Sequence, residues 1–557
     1  MATHVNRPVE VRLATKGNWK VLARTFHGAL TGRPLLWIFL AVSCLSMLAV
    51  SSKPVRDFGY ACDPFGYLRS AQNFERGGPS AGFDTRVKLE EPNFLIRTAK
   101  SLGIATNDFS QLVGPHGFWY CAATDHVIHQ YPPGAGLILS HFHKDRRTQW
   151  TVILAMACTV LPFLLIASQS RLRPLELFAF IGMVLASEQL LMDTLGSHSV
   201  LLTIGLIPLA SFAAARTVSG SLFARWVSGV VFGMLSALLL LTRIPNLFVV
   251  SGLGLFLVVL LIFKRSAERR GLVLPVVAGF AVLFLCGVVP LLTFNRINAG
   301  SFFASTYSPV DATPPRFDSA MIRQNLDYYL HESFAWRLTV ASLLAIGLLI
   351  AAAFSKRNQK KRHLLLAATA GVSLTFSIST FYFLTHSIRE PYYLAPGCLL
   401  TIFLATFAFA HRPSSLRGRD LKHYWCAVAA ILLLAICVEF ELRHFRPEVV
   451  ATSIPAEVTR PRSIVWADLT SGTLLYYNNK YAAKLVFGSP CAQNRIVQSV
   501  SESGRPQYFI DDAPDMAEIV RRLTPDSDMK PIGTYQAFGS WTVYRLETLK
   551  KKLSCPS

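Results

Sequence analysis

Acidic side chains are scarce in this chain: 33 Asp and Glu stand against 55 Lys and Arg, a formal charge of +22. A Gly-rich nucleotide-binding fingerprint is missing, and so is any Cys/His spacing that suits zinc, which excludes a recognisable nucleotide fold or zinc module. Matching halves with Gly/Pro-broken apolar segments, the mark of a transporter built from repeats, are also missing. No small-residue cleavage pattern follows the first apolar run, and about thirty mostly polar and basic residues precede it. That run is therefore expected to stay as an anchor rather than to be removed as a signal peptide.

What the chain has in abundance is apolar sequence, 52% of its residues, gathered into long runs with few charges inside them. Runs of this length and purity point to an α-helical polytopic membrane protein. About eleven spans are expected, at 34–50, 150–168, 174–192, 199–215, 226–242, 246–263, 272–293, 338–354, 364–384, 392–410 and 424–440. The basic residues sort to one side of them. The tail 1–33 and the loops at 171–173, 216–225, 264–270, 356–362 and 412–422 hold 23 Lys and Arg against three acidic residues, Glu10, Glu268 and Asp420. Lys and Arg resist translocation, so these segments are expected to be cytoplasmic. The excess then reflects topology, with some attraction to membrane lipids, and no nucleic-acid partner is expected.

The opposite, external side receives a large first loop at 51–149, a loop at 294–336 and the tail 441–557. Three domains follow: a cytoplasmic basic tail at 1–33, a transmembrane body at 34–440 and a C-terminal unit at 441–557. In the tail, 463–469, 483–487 and 507–510 read as strands, 516–523 as a helix, and 531–535 with 541–546 as a hairpin around Gly539. A small α/β domain on the outer membrane face is predicted. Six of ten cysteines lie within spans, where they serve as small apolar residues; Cys62 with Cys121, and Cys491 with Cys555, are candidate disulfides on the external side, with free buried thiols as the alternative.

Just after the first span the chain runs Asp63-Pro64-Phe65-Gly66-Tyr67-Leu68-Arg69-Ser70-Ala71. If helical, Asp63, Tyr67 and Ala71 share a face, and a carboxylate held there at the bilayer surface is a candidate base. Asp57 is the rival, and an N-cap role for Asp63 is the structural alternative. Farther on come His129-Gln130-Tyr131-Pro132-Pro133-Gly134, the stretch Asn295-Arg296 to Gly300-Ser301-Phe302-Phe303 and Tyr307, and His386-Ser387-Ile388-Arg389-Glu390-Pro391-Tyr392-Tyr393-Leu394-Ala395-Pro396. Singly, each could be an interface anchor.

Together these segments resemble the polyprenyl-phosphate-dependent glycosyltransferases of the GT-C superfamily, in particular the branch with protein O-mannosyltransferases and lipid A aminoarabinose transferases. The resemblance covers the architecture from about residue 30 to 440. It implies a catalytic aspartate at Asp63 in an acidic-x-x-x-Tyr-x-x-x-Ala setting, with Tyr131 to Gly134, Asn295 to Tyr307 and Arg389 to Pro396 similar to later family elements. Two departures stand out: Pro64 follows the aspartate where glutamate is common, and Tyr131 takes a position where aminoarabinose transferases carry lysine. The resemblance implies a polyprenyl-phosphate-linked sugar donor, an acceptor hydroxyl on a glycan, lipid or protein, and inversion in a single displacement.

For the departing phosphate the candidates are Arg243, Arg296 and Arg389, since guanidinium binds phosphate oxygens bidentately, with His386 assisting. Tyr67, Tyr131, Tyr307, Tyr392 and Tyr393 are candidate substrate contacts. No cofactor is expected to be required; Asp193 and His198 are weak candidates for a divalent metal, with helix capping or packing as the alternative. A multi-span transporter or lipid-carrier flippase is the competing class. The expected site is the bacterial inner membrane, with the N-terminus cytoplasmic and the C-terminal domain periplasmic.

Overall fold

The computed structural model describes residues 62–169, 197–219, 221–264, 266–307, 318–332, 336–355, 359, 362–386, 393–410, 453–536, 539–553 and 555. Asp57, Asp193, Arg389 and Tyr392 lie outside the described residues, as do the expected spans at 34–50, 174–192 and 424–440. Five described helices are long and apolar enough to cross a membrane: His198–Val218, Leu222–Thr242, Asn246–Phe263, Arg269–Ala299 and Arg362–Leu384. Each coincides with an apolar run in the sequence, and an α-helix satisfies all of its backbone groups within one such segment in hydrocarbon.

In chain order, the first loop carries α1 (Cys62–Phe83), α2 (Glu90–Ser101), the antiparallel strands β1 (Phe118–Cys121) and β2 (His126–His129), and the short α3 (Gly134–Leu139). The body follows with α4 (Arg147–Gln169), α5 (His198–Val218), α6 (Leu222–Thr242), α7 (Asn246–Phe263), α8 (Ser266–Leu283) and α9 (Val289–Ala299). A π-helical turn, Phe284–Val288, joins α8 to α9. Next come α10 (Ser319–Asp327), α11 (Trp336–Phe354), α12 (Arg362–Leu384) and α13 (Ala395–Ala410).

Helices α6 and α8 come together through missing side chains. A methyl on Gly229 would lie 2.2 Å from the Pro275 carbonyl oxygen, and one on Gly233 would lie 2.3 Å from that of Gly279. Two glycines four residues apart let helix backbones touch, the packing favoured where lipid removes the hydrophobic drive between helices. The lipid-ward faces stay apolar, with Phe223, Val230, Leu274 and Val277 exposed.

The C-terminal unit contains β3 (Ile464–Trp466), α14 (Ser471–Tyr477), β4 (Ala482–Ala483), α15 (Pro490–Glu502), β5 (Gln507–Ile510), α16 (Pro514–Leu523), β6 (Ser527–Gln536) and β7 (Ser540–Leu549). Its five-stranded sheet runs β4-β3-β5-β7-β6, with β3, β4 and β5 parallel and β7 antiparallel to both β5 and β6. The strand expected at 483–487 is shorter than the sequence suggests: β4 stops at Ala483 and Leu485–Phe487 turns into a 3-10 helix. There Leu112 of the first loop takes the Lys484 amide, 2.9 Å from its carbonyl, so the segment pairs with another part of the molecule instead of extending the sheet.

That contact belongs to a wider union. Leu95, Ile96, Phe109, Leu112, Val113 and Phe118 of the first loop share one apolar core with Trp466, Leu475, Tyr481, Ile496, Phe509 and Met516 of the C-terminal unit. Polar side-chain pairs bind it as well: Lys480 to Glu91 at 3.2 Å, Arg505 to Glu90, and His116 Nε2 to Asp468 at 2.8 Å. Two regions separated by more than three hundred residues therefore fold as one body. Cys491 and Cys555 form a disulfide inside it, whereas Cys121 is a buried free thiol and not half of a bridge to Cys62.

Candidate active site

Helix α1 begins at Cys62, so Asp63 sits in its first turn and the backbone carries Tyr67 and Ala71 along the same face. Tyr67 is fully buried, and its ring lies 4.5 Å from that of Tyr131; Tyr131 in turn meets Tyr307 edge-on at 5.9 Å. Gly66 explains how the Tyr131 run closes on α1: an added methyl would lie 2.5 Å from His129 Nε2 and 2.9 Å from the Tyr131 ring. Glycine is needed at 66 for this approach.

The third segment is tied in by hydrogen bonds. Thr306 Oγ1 donates to the Gln130 carbonyl at 2.6 Å, which sets Tyr307 against Tyr131. Asn298, wholly buried at the end of α9, donates to the carbonyls of Phe83 and Phe294, both at 2.8 Å, and accepts from Thr85 N and Oγ1 at 2.9 and 2.8 Å. Its amide fastens the end of α1 to the end of α9, using every kind of group it has.

A second cluster adjoins the first across α3. Gly134, at the start of α3, packs so tightly on α6 that a methyl there would lie 2.6 Å from the Leu241 carbonyl carbon. Two residues later Arg243 caps α6, is 9% exposed, and holds its guanidinium 5.1 Å over the Tyr393 ring. Asn246 steadies this turn, donating to the Leu239 carbonyl and to Thr203 Oγ1, both at 2.8 Å. His386 lies 5.4 Å from Tyr382 and 6.4 Å from Tyr393. Asn325 of α10 places it, donating to the carbonyls of Leu384 at 2.9 Å and His386 at 2.8 Å.

So the structure brings together the Asp63 turn, Tyr67, Tyr131 and Tyr307, and beside them Arg243, His386 and Tyr393. Arg296 does not join them: it is exposed and its guanidinium turns back to the Gly300 carbonyl, capping its own helix. His198 is buried at the start of α5 with Nε2 2.9 Å from Thr148 Oγ1, a packing contact between α4 and α5. Among the described residues no group of three His, Cys, Asp or Glu is gathered to hold a metal.

Several residues central to this geometry are not singled out by sequence motifs. Asn298, Asn246 and Asn325 are buried amides at helix ends, and the signal that could have found the first two is a polar side chain in or beside an apolar run. His129 is the other. It is 1% exposed among Tyr67, Phe118 and Tyr131, and burial pulls its pKa down to about 3. It is a neutral spacer at neutral pH.

No family model matches the chain, and no curated protein does. Solved structures do. The chain is similar in fold to ArnT from Cupriavidus metallidurans in the apo state, with a TM-score of 0.51 at 13% identity over 92% of this chain and 98% of that one. The same protein bound to undecaprenyl phosphate gives a TM-score of 0.47 at 13% identity and the same coverage. At this identity the likeness establishes an ArnT-like fold.

Proposed function

We propose that this protein is an integral membrane glycosyltransferase that moves a sugar from a polyprenyl-phosphate donor to the hydroxyl of a glycan, lipid or protein acceptor. The observation that carries the reading is the packing of Tyr67, one turn after Asp63, on Tyr131 and of Tyr131 on Tyr307, with the helix that Arg243 caps seated on Gly134 of the same run. The ArnT-like fold supports it, as does a body with helices able to cross a membrane.

A sugar on a lipid phosphate already has a good leaving group. The protein then has to position an acceptor hydroxyl, take its proton and stabilise the departing phosphate. In the proposed step the acceptor oxygen forms a bond to the anomeric carbon as that carbon's bond to phosphate oxygen breaks. The hydroxyl proton passes to the Asp63 carboxylate, the electron pair leaves with the polyprenyl phosphate, and configuration inverts. Arg243 is the proposed phosphate partner among the described residues, with His386 beside it; Arg389 is a further phosphate candidate and Asp57 the rival base. The reaction is placed on the non-cytoplasmic face of a bacterial inner membrane.

Sugar transfer from a panel of polyprenyl-phosphate sugars by purified protein in lipid tests this, with Asp63→Asn and Asp57→Asn alongside wild type. Turnover that collapses only in Asp63→Asn supports class and base together. Turnover untouched by Asp63→Asn moves the base elsewhere, and absence of turnover with every donor overturns the reading.

A further inference from the structure

The first turns of α1 have a second face, and the C-terminal unit covers it. Phe65, two residues after Asp63, is 2% exposed, with its ring 5.9 Å from Tyr476 and 6.1 Å from Tyr477, both on α14. Leu68, wholly buried, completes this cluster. A methyl on Gly472 would lie 2.9 Å from Phe65 Cβ, so α14 can lie this close only because residue 472 is glycine.

Polar contacts continue the seam down α1. Arg69 Nη1 donates to Asn479 Oδ1 at 3.4 Å and Gln72 Nε2 donates to the Tyr476 carbonyl at 3.2 Å. Glu75 pairs with Arg147, a fully buried guanidinium that also donates to the Tyr476 hydroxyl at 2.9 Å. Helix α14 is itself held at its leading end. The buried Asp512 carboxylate accepts from Thr470 N and Thr470 Oγ1, both at 2.6 Å, and from Asp468 N at 3.0 Å. His116 of the first loop donates its backbone N–H to Ser471 Oγ at 3.0 Å and pairs with Asp468.

The first turn of any helix is its least secured part, since its leading N–H groups have no partners within the helix. A base in that turn depends on tertiary contacts for its position, and an error of about 1 Å at a reacting group can cost roughly a hundredfold in rate. We infer that α14 is a positioning element for the Asp63 turn, acting through Gly472 and Tyr476 on Phe65. The C-terminal unit is then part of the working site and more than an accessory docked on it. This rests on the proposed reading of Asp63 as base.

The test is kcat and donor KM for Gly472→Ala, Tyr476→Ala, Tyr476→Phe and Lys480→Ala, with a polyprenyl-phosphate sugar that wild type turns over, and thermal midpoints in the same detergent. Lys480→Ala removes a buried ion pair to Glu91 away from α1 and serves as the control for docking stability. Gly472→Ala and Tyr476→Ala are expected to lower kcat roughly tenfold or more with donor KM within about twofold. Tyr476→Phe, which keeps the ring on Phe65, recovers most of the rate, and Lys480→Ala lowers the midpoint with kcat unchanged. Gly472→Ala, the smaller change, stands where Tyr476→Ala fails to fold. Wild-type kcat in the α14 variants, or an equal loss in Lys480→Ala, overturns this inference alone. Absence of wild-type turnover with every donor overturns the transfer reading and this inference with it.

Discussion

Arg243 is the proposed partner of the departing phosphate. It caps α6 at 9% exposure and lies against the Tyr393 face, so it is desolvated and pre-aimed. Arg243→Ala is expected to lower kcat/KM roughly a hundredfold, and Arg243→Lys to recover little, because an ammonium lacks both the planar fork and the stacking on tyrosine. Steady-state kinetics with a polyprenyl-phosphate sugar checks this. His129 makes a different prediction. Its pKa falls from the ordinary 6.5 to about 3 on burial, so the unfolded chain binds a proton that the folded one refuses between those values. Its contribution to stability is present above pH 6.5 and is lost as pH falls through the folded pKa, at about 1.4 kcal/mol per unit in that window. His129→Phe keeps the ring packing and should flatten the acid limb of a thermal midpoint against pH profile between 6.5 and 3. Motif spacing marks Tyr67, Tyr131 and Tyr307, whose rings the structure brings together; the burial of His129 and Asn298 beside them was not legible, because a lone polar residue signals a site only once its neighbours are known.

Helices were the most legible parts. Long apolar runs announce α5 to α7 and α12 directly, since hydropathy summed over a window needs no partner to be identified. Their mutual contacts are another matter. Gly233 faces the Gly279 carbonyl at a distance that admits no side chain. Gly233→Val is expected to push α6 off α8 and cost roughly 1–3 kcal/mol, seen as a lower thermal midpoint in detergent. The hairpin β1-β2 and the short β4 were illegible or misread, because a strand of two to four residues is shorter than any periodic pattern and is made by what it packs on. The pairing of Cys491 with Cys555 belongs here too: it closes α15 onto the chain end across 64 residues. Cys491→Ser is expected to cost roughly 2–4 kcal/mol, read from urea unfolding of the protein with and without the bridge.

Across the molecule, hydropathy and charge are sums over windows of the chain, so the membrane class and the positions of the described apolar helices followed from the order of residues alone. The Asp63 motif was visible in the same way, as a local spacing. What no local window contains is the shared core of the first loop and the C-terminal unit, or the seat of Phe65 on α14, because those contacts join residues some four hundred positions apart. Whether Arg296 or Arg243 reaches the tyrosines was likewise undecidable from charge: both are arginines at helix ends, and only packing sends one back to the Gly300 carbonyl and the other over Tyr393. Burial of a given side chain is a property of the pair of surfaces that meet, and the identity of that pair exists only once the chain has folded.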